Sequence, residues 1–341
     1  MTDTKLKKIA VILGDPTRPD PIKPGNKFDQ DDKETVEKLK EALAALEGYQ
    51  FDYFDKHKDL FYFLKEQRKE TYLAFNLCDE GYMNDPKQEG YIPVMLDFLR
   101  IPYTGAGKMC MVKCYNKFLV KKMAEKRGIQ IPNGVMINEK KDLEKRFIEN
   151  YPVIVKTNYG DGSLNINQKS VANNFPELEQ AVLELCQVSK DPILIEEFLN
   201  GDDITFGVIG NPGSFELLPL IKEDYSGLPK KLVPICGREA KWDEKSLYYD
   251  IHPVLAELSG QAEKEIVNGS LTLFKALECR DYARFDWRLN SKGIPKLLEI
   301  NPNPGWCWDG HLARAALFKK ISYPEMLNKI LNAAEKRLNI H

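Results

Sequence analysis

The sequence lacks a marked excess of charge of either sign. It has 49 lysine and arginine residues against 51 aspartate and glutamate residues, which gives a formal net charge of −2. Proteins that coat nucleic acid need a broadly basic surface, so this balance argues against a nucleic-acid partner. A ligand that carries phosphate must therefore be bound by a local cluster of basic side chains.

Long apolar runs and a disulfide framework are also missing. The first apolar stretch, at residues 8–13, is much shorter than the roughly 18 residues that a membrane span requires. We therefore expect a cytoplasmic protein with no membrane partner. The seven cysteines are an odd number spread over the chain, and Cys110 and Cys114 have no second pair that would complete a zinc site. We interpret the cysteines as reduced thiols, most of them in the core.

Strand and helix patterns alternate along the first hundred residues. Short apolar runs predict strands at 8–13, 50–54 and 72–77, and apolar residues spaced three or four apart predict helices at 29–46, 59–66 and 88–99. This alternation is typical of βαβ units, so we predict an α/β fold that begins with a doubly wound parallel sheet. The length of 341 residues suits two or three domains.

The pattern changes at IPYTGAG, residues 101–107, where proline and glycine interrupt it. A helix at 108–126, a strand at 152–156, a glycine-containing loop at 157–163, a helix at 175–188 and a strand at 193–197 follow. Beyond them we predict strands at 204–209, 215–220, 282–289 and 294–301, and helices at 253–277 and 323–338. The predicted domains are residues 1–105, 106–195 and 196–341.

The segment DYARFDWRLNSKGIPKLLEINPNPG, residues 281–305, holds the clearest chemical pattern. Side chains alternate faces along a strand, so Arg284 and Asp286 share one side of the first strand. In the second strand Leu297, Glu299 and Asn301 are expected to share a side. Two carboxylates and an amide could then meet, and such oxygen ligands suit Mg²⁺. A solvated sheet face with incidental charges is the alternative.

Two lysines favour a phosphate site. Lys156 ends a strand immediately before a loop that contains Gly160 and Gly162, and such glycines let the backbone approach phosphate oxygens closely. Lys117 is on a predicted helix that also has Lys121, so on its own it suggests a solvated surface charge. The loop matches neither the Walker A nor the GxGxxG spacing, which gives no support to a P-loop kinase or a dinucleotide fold.

The sequence contains the following motifs in a distinctive order: NLCDEG, IPYTGAG, NK at 116–117, PVIVK with its glycine loop, LIEEFLNGDDITFGVIG, EAKW, ARFDWRL and LEINPNPG. Together they resemble the ATP-grasp superfamily, and specifically its D-alanine:D-alanine ligase branch, from about residue 8 to residue 316. The resemblance implies an ATP-grasp fold in which two α+β lobes enclose ATP beside the N-terminal domain. It also implies a carboxylate-amine ligase that uses ATP and Mg²⁺ or Mn²⁺, forms an acyl phosphate, acts on small amino acids or peptides and assembles as a homodimer.

The resemblance also implies roles for individual residues. The nucleotide would be bound by three phosphate lysines, two loop residues, three hinge residues near adenine and one acid on the ribose: Lys117, Lys156, Lys241, Gly162, Ser163, Glu196, Glu197, Leu199 and Asp203. The metal ligands would be Asp286, Glu299 and Asn301. Arg284 and the Gly305 amide would stabilise the oxyanion of the tetrahedral intermediate. Lys241 would be a catalytic residue as well as a phosphate ligand. Two alternatives remain open: Glu196 and Glu197 as a charged pair at a strand end, and Arg284 as a structural partner of Asp286.

The substrate motifs of the branch are replaced. The serine and glutamate that follow its first strand are absent from GDPTRPDPIKPGNKFD, its histidine-glycine pair becomes the segment 78–81, CDEG, and Gly310 is found where a serine is usual. Trp306, Trp308 and Asp309 follow the oxyanion glycine, which suggests a pocket for a flat or cationic group. The alternative is that both tryptophans pack into the core.

We therefore expect a ligase with altered substrates. The alternatives are a true D-alanine:D-alanine ligase of cell-wall synthesis and an ATP-binding regulatory protein without turnover.

Overall fold

The computed structural model of the protein has, within its described residues, three β-sheets with helices packed on them. The structure describes residues 6–21, 23–144, 148, 150–160, 166–237, 246–248 and 251–340. Within these ranges we find no helix that has both the length and the apolar character needed to cross a membrane.

The first sheet has three parallel strands in the order β2–β1–β3, namely β1 (Lys7–Ile12), β2 (Tyr49–Phe54) and β3 (Leu73–Asn76). Helices α1 (Gln30–Ala44), α2 (Leu60–Gln67) and α3 (Tyr91–Leu99) alternate with them. The Asp29 side chain caps α1 by accepting hydrogen bonds from the backbone of Asp31 and Asp32. The predicted alternation and the parallel pairing are both confirmed.

The helix predicted at 108–126 is two helices, α4 (Lys108–Tyr115) and α5 (Lys117–Glu125). Asn116 has an extended backbone, φ −96° and ψ 93°, and its side chain accepts a hydrogen bond from the Leu119 amide. An N-cap asparagine of this kind starts a new helix. Because of this break, Lys117 is the first residue of α5 rather than a residue inside one long helix.

The second sheet has the order β4–β7–β5–β6 and is antiparallel throughout. Its strands are β4 (Gly134–Ile137), β5 (Val153–Thr157), β6 (Val171–Ala172) and β7 (Ile193–Glu197), with helix α6 (Phe175–Val188) packed on one face. Strands β4 and β6 were not predicted, because four-residue and two-residue strands leave little periodicity to detect.

The third sheet has the order β11–β10–β8–β12–β13, with β9 beside β8. Its strands are β8 (Asp203–Asn211), β9 (Ser214–Leu217), β10 (Ile221–Glu223), β11 (Pro253–Leu255), β12 (Tyr282–Leu289) and β13 (Pro295–Asn301), with α7 (Gly260–Ala276) against its apolar face. The helix predicted from 253 is wrong at its start, since residues 253–255 pair with β10. The Ser259 side chain caps α7 instead.

Two C-terminal helices, α8 (His311–Phe318) and α9 (Tyr323–Leu338), return to the beginning of the chain. Leu327 and Leu331 of α9 belong to the same buried cluster as Leu39 and Leu43 of α1. The last residues of the chain therefore complete the core that the first sheet begins.

The seven cysteines are all free thiols, as predicted, and four of them are buried. Cys279 joins Cys110 and Cys114, and the three sulfur atoms lie within 4.8 Å of one another. This third thiol is so distant in the chain that sequence spacing could not reveal it.

Candidate active site

Four polar side chains of β12 and β13 lie on one face of the third sheet. In the antiparallel register Arg284 is opposite Asn301, and Asp286 is opposite Glu299. Directly opposed residues have Cβ atoms about 4.5–5.5 Å apart. The structure therefore brings the two predicted carboxylates and the predicted amide side by side.

A β-bulge changes one expectation about β13. The register shifts between Asp286 and Trp287, so that Trp287 is opposite Leu297. Leu297 is fully buried in the core, whereas Leu298 lines the same cavity as Glu299. The prediction that Leu297 shares a face with Glu299 is therefore wrong, because the bulge inserts one residue between them.

Arg284 and Asp286 form an ion pair on this face. The Arg284 Nη2 donates to Asp286 Oδ2 at 2.9 Å, and its Nε lies 3.1 Å from Asp286 Oδ1. The Thr205 hydroxyl of β8 donates to the same Oδ1 at 3.0 Å. Arg284 thus has the structural partner that we considered as an alternative, and both side chains line the cavity.

Glu299 is paired with Lys117, at the start of α5. Lys117 Nζ lies 3.0 Å from Glu299 Oε2, and it also donates to the carbonyl of Gly160. Burial alone would raise the pKa of Glu299, but Lys117, Lys156 and Arg284 outweigh that effect and lower the pKa to about 2. Glu299 is therefore a firmly ionised carboxylate.

Lys156, in β5, shares a buried carboxylate with a second lysine. Its Nζ lies 2.9 Å from Glu196 Oε2, and Lys121 donates to Glu196 Oε1. Burial would raise the pKa of Glu196, yet the two lysines lower it to about 2. Glu196 thus fixes the position of Lys156.

Lys121 lies beside Lys156 through their shared partner Glu196, and the sequence did not predict this position. It is 2% exposed, and Lys117 is 7% exposed, so neither is the solvated surface charge that the helix pattern suggested. The two lysines are four residues apart and therefore share one face of α5. Their spacing beside the buried residues Val120 and Ala124 was the available signal.

The three predicted hinge residues occupy different environments. Glu196 lies in the lysine cluster, and Leu199 is buried. Glu197 pairs with Lys296 and accepts a hydrogen bond from the Asn133 amide at 2.9 Å. None of the three is among the described residues that line the cavity beside Glu299. Their contact with adenine stays a prediction.

Asp203 is the first residue of β8 and lies opposite Arg288 of the neighbouring strand β12. Its Oδ2 accepts from Arg288 Nη1 at 2.8 Å and from the Tyr225 hydroxyl at 2.5 Å. Burial raises the pKa of Asp203 in spite of the adjacent guanidinium. Asp203 also lines the cavity, where its carboxylate is in a position to meet hydroxyl groups of a ligand.

A cavity separates the second sheet from the third and joins these residues. Its apolar lining residues are Ile154, Ile166, Ile204, Ile235 and Leu298. Its charged and titratable lining residues include Lys117, Lys156, Arg284, Asp286, Glu299, Asp203, Glu223, Arg288 and His311. A cavity with both apolar walls and convergent charged groups suits a flat ring joined to an anionic chain. Three predicted site residues, Gly162, Ser163 and Lys241, lie outside the described residues.

A second cavity shares a lining residue with the first. Arg284 lines both cavities, and Asn301 and Gly305 line the second one. A Cβ placed on Gly305 would lie 3.3 Å from Asp79 Oδ2, so the carboxylate from the first sheet lies close to this glycine. The second cavity therefore reaches both predicted oxyanion groups.

The tryptophans after Gly305 have different positions. Trp306 is buried in the core cluster that contains residues of α1 and α9, and it lines the second cavity. Trp308 is 40% exposed and Asp309 is also exposed, and neither is among the described lining residues. The pocket expected at Trp308 and Asp309 is therefore absent from the described cavities.

Comparison with known proteins gives a consistent result. Residues 123–332 match the family model described as the D-ala D-ala ligase C-terminus. A D-alanine–D-alanine ligase of Halalkalibacterium halodurans is 29% identical over 305 residues, which cover 88% of this chain and 92% of that protein. One from Clostridium beijerinckii is 27% identical over 253 residues, 73% of this chain and 77% of that protein. A Sinorhizobium fredii protein described as uncharacterized, y4sG, is 28% identical over 270 residues, 78% of this chain and 75% of that protein.

Solved structures extend the similarity over nearly the whole chain. The Bacillus anthracis D-alanine–D-alanine ligase complexed with ATP has a TM-score of 0.72 at 21% identity, covering 98% of this chain and 99% of that one. The VanG D-Ala:D-Ser ligase from Enterococcus faecalis has a TM-score of 0.69 at 18% identity, covering 97% and 100%. At such identities the likeness concerns the fold alone, and it confirms the predicted ATP-grasp α/β class.

Proposed function

The chain belongs to the D-alanine–D-alanine ligase family of ATP-grasp enzymes, and we propose that it joins a carboxylate to an amine through an acyl phosphate. It is an ATP-dependent ligase that forms an amide bond. The observation that best supports the proposed mechanism is that Arg284 lines both cavities. One cavity has the features of a nucleotide site, and the other provides space for an acyl acceptor beside it.

ATP would occupy the cavity between the second and third sheets. Lys117 and Lys156 line it, and two such cations can bind the α and β phosphates. The isoleucine walls would enclose the adenine, and the Asp203 carboxylate would accept hydrogen bonds from the ribose hydroxyls. The resemblance adds Gly162, Ser163 and Lys241 as phosphate contacts and Glu196, Glu197 and Leu199 as the adenine hinge.

Asp286, Glu299 and Asn301 would hold a divalent cation, Mg²⁺ or Mn²⁺. The donor set fits, because two ionisable carboxylates and an amide oxygen on one sheet face are the ligands that hard cations prefer. When bound, such an ion offsets the charge that develops as the γ-phosphoryl group is transferred.

The reaction would proceed in two balanced steps. A substrate carboxylate oxygen attacks the γ-phosphorus, and the bond between the γ-phosphorus and the oxygen that joins it to the β-phosphate breaks. The products of this step are ADP and an acyl phosphate. The amine nitrogen then attacks the acyl carbon and loses a proton, and inorganic phosphate is expelled as the amide forms. Arg284 and the Gly305 N–H would hold the oxyanion of the tetrahedral intermediate, and each such donor is typically worth about 3 kcal/mol.

The replaced substrate motifs support a substrate pair other than two D-alanines. The experiment is a screen of D- and L-amino acids and dipeptides with ATP and MgCl₂, in which ADP is measured enzymatically and products by mass spectrometry. We expect ADP and a condensed product in equal amounts. If ADP forms fastest with D-alanine as the only amino acid, the protein has the ordinary D-alanine–D-alanine ligase activity. If the protein binds nucleotide but forms no ADP under any condition, it is a protein without turnover.

A further inference from the structure

Three buried thiols, those of Cys110, Cys114 and Cys279, form a cluster outside the candidate active site. Their side chains are between 2% and 5% exposed. None of the three is among the described residues that line either cavity. The proposed ligase reaction therefore makes no use of these thiols.

Two ordered elements supply the cluster. Cys110 and Cys114 are four residues apart in α4 and share one face of that helix. Cys279 lies in the turn between α7 and β12. There Glu278 has a left-handed backbone, φ 61°, and the Cys279 N–H donates to the Phe274 carbonyl at 2.9 Å. This bond belongs to a Schellman helix end, which fixes the backbone that carries the third thiol.

The spacing of the sulfur atoms fits ligation of one metal ion. The Sγ of Cys110 lies 3.6 Å from that of Cys279 and 4.0 Å from that of Cys114. Thiolates lie about 2.3 Å from a bound zinc ion, so two of them are roughly 3.8–4.0 Å apart in tetrahedral or trigonal geometry. The third pair of sulfurs is within 4.8 Å and would have to close by about 1 Å at most.

We therefore propose that Cys110, Cys114 and Cys279 bind one thiophilic metal ion, Cu⁺ or Zn²⁺, through three thiolates. Soft sulfur ligands select these metals, whereas Mg²⁺ prefers the oxygen ligands of the candidate active site. The bound ion would join α4 to the turn before β12. It would thereby connect the segment that leads to Lys117 with the segment that leads to Arg284. The proposal does not depend on the ligase function.

The charges around the cluster favour a thiolate. Hydrogen bonds with the Cys114 and Cys279 thiols, together with the positive charges of Arg280 and Lys113, lower the pKa of Cys110 to about 5 in spite of its burial. The hydrogen bonds with Cys110 raise the pKa of the other two thiols well above its ordinary value. Near pH 7 the cluster thus holds one thiolate and two thiols, and binding of the ion by three thiolates releases two protons.

The test is a metal titration of the full-length protein. The protein is reduced with a phosphine and titrated without oxygen in excess MgCl₂, once with Cu⁺ and once with Cd²⁺, which substitutes for Zn²⁺ and absorbs in the ultraviolet when thiolate-bound. With at least one of the two ions we expect charge-transfer absorption that saturates at one ion per chain, with release of two protons per ion. The melting temperature should rise by about 3 °C or more, because the ion binds the folded state.

X-ray absorption of the loaded protein counts the ligands without any substitution, and it should show three sulfur neighbours. Saturation by neither ion at one per chain would overturn the proposal, as would a bound ion with fewer than three sulfur neighbours.

Three variants locate the site. Cys114→Ser and Cys279→Ser should each weaken binding about 100-fold or more, since loss of a direct ligand costs more than loss of a group that only orients one. Cys186→Ser, which removes a partly exposed thiol of α6, is the matched control and should bind as wild type does. Undiminished affinity in a folded Cys114→Ser or Cys279→Ser protein would place the ion elsewhere and contradict the proposal.

Discussion

Lys117 Nζ lies 3.0 Å from Glu299 Oε2, so a proposed phosphate ligand and a proposed metal ligand neutralise each other. Each charge would otherwise be largely buried and uncompensated, since Lys117 is 7% exposed. Binding of ATP with its metal would replace both partners at once, giving the lysine a phosphate and the glutamate a cation. The pair thus keeps the Lys117 and Glu299 side chains charged and close together.

Glu299→Gln should abolish turnover while leaving the fold intact, because it removes a metal-ligand charge and keeps the side-chain volume. Phosphate release with the best substrates is the measurement, and thermal unfolding checks the fold. The matched control is Glu265→Gln, on the exposed face of α7, which should behave as wild type. Phosphate release within about twofold of wild type by a folded Glu299→Gln protein would remove Glu299 from the metal site.

Lys156→Ala should weaken ATP binding about 10- to 100-fold, since a charge-assisted phosphate contact is worth roughly 1.5–3 kcal/mol. Fluorescent-nucleotide titration gives the dissociation constant. Lys169→Ala, which removes an exposed lysine, provides the control. An unchanged dissociation constant would leave Lys156 with only its structural pairing to Glu196.

Glu196 should make the stability of the protein depend on acid. Its pKa falls from an ordinary 4.5 to about 2 in the folded protein, so its contribution is complete above pH 4.5 and is lost as the pH falls toward 2. A pKa shift of this size means that the Glu196 carboxylate contributes on the order of 3 kcal/mol to the free energy of unfolding. Urea unfolding at several pH values should show the gap between wild type and Glu196→Gln closing between pH 4.5 and 2. A constant gap would contradict the buried ion pair.

Arg284→Lys should lower kcat about 100- to 1000-fold while leaving the dissociation constant for ATP nearly unchanged, because the loss concerns an oxyanion donor. The shorter, unforked side chain keeps a positive charge beside Asp286. Steady-state kinetics and nucleotide titration separate the two effects. Arg314→Lys, on the surface of α8, is the control. An equal loss of nucleotide affinity would assign Arg284 to ATP binding instead.

Much of the fold could be predicted because its main elements have clear periodicity. The limits of β7, β12, α6 and α9 agree with the predicted residues to the last position. The failures have physical causes that the pattern does not show. Asn116 divides a helix through its capping side chain, and residues 253–255 pair with a strand although their sequence also suits a helix.

The site was predictable in composition but not in its pairings. Alternation along two strands placed Asp286 and Glu299 together, because hairpin register is a local property. The bulge at Leu298 was not predictable, since it depends on how β13 meets its neighbour. The burial of Lys121 and the approach of Cys279 to Cys110 depend on contacts between distant segments, which one sequence does not reveal.

The most direct test of the central claim is the fate of carboxylate oxygen during turnover. The best carboxylate substrate from the screen is labelled with ¹⁸O in both carboxyl oxygens and converted with ATP, and the released phosphate is examined by mass spectrometry. An acyl-phosphate ligase transfers one substrate oxygen to each phosphate, so the account predicts singly labelled inorganic phosphate in equal amount to the amide product. Unlabelled phosphate formed alongside the amide would contradict it.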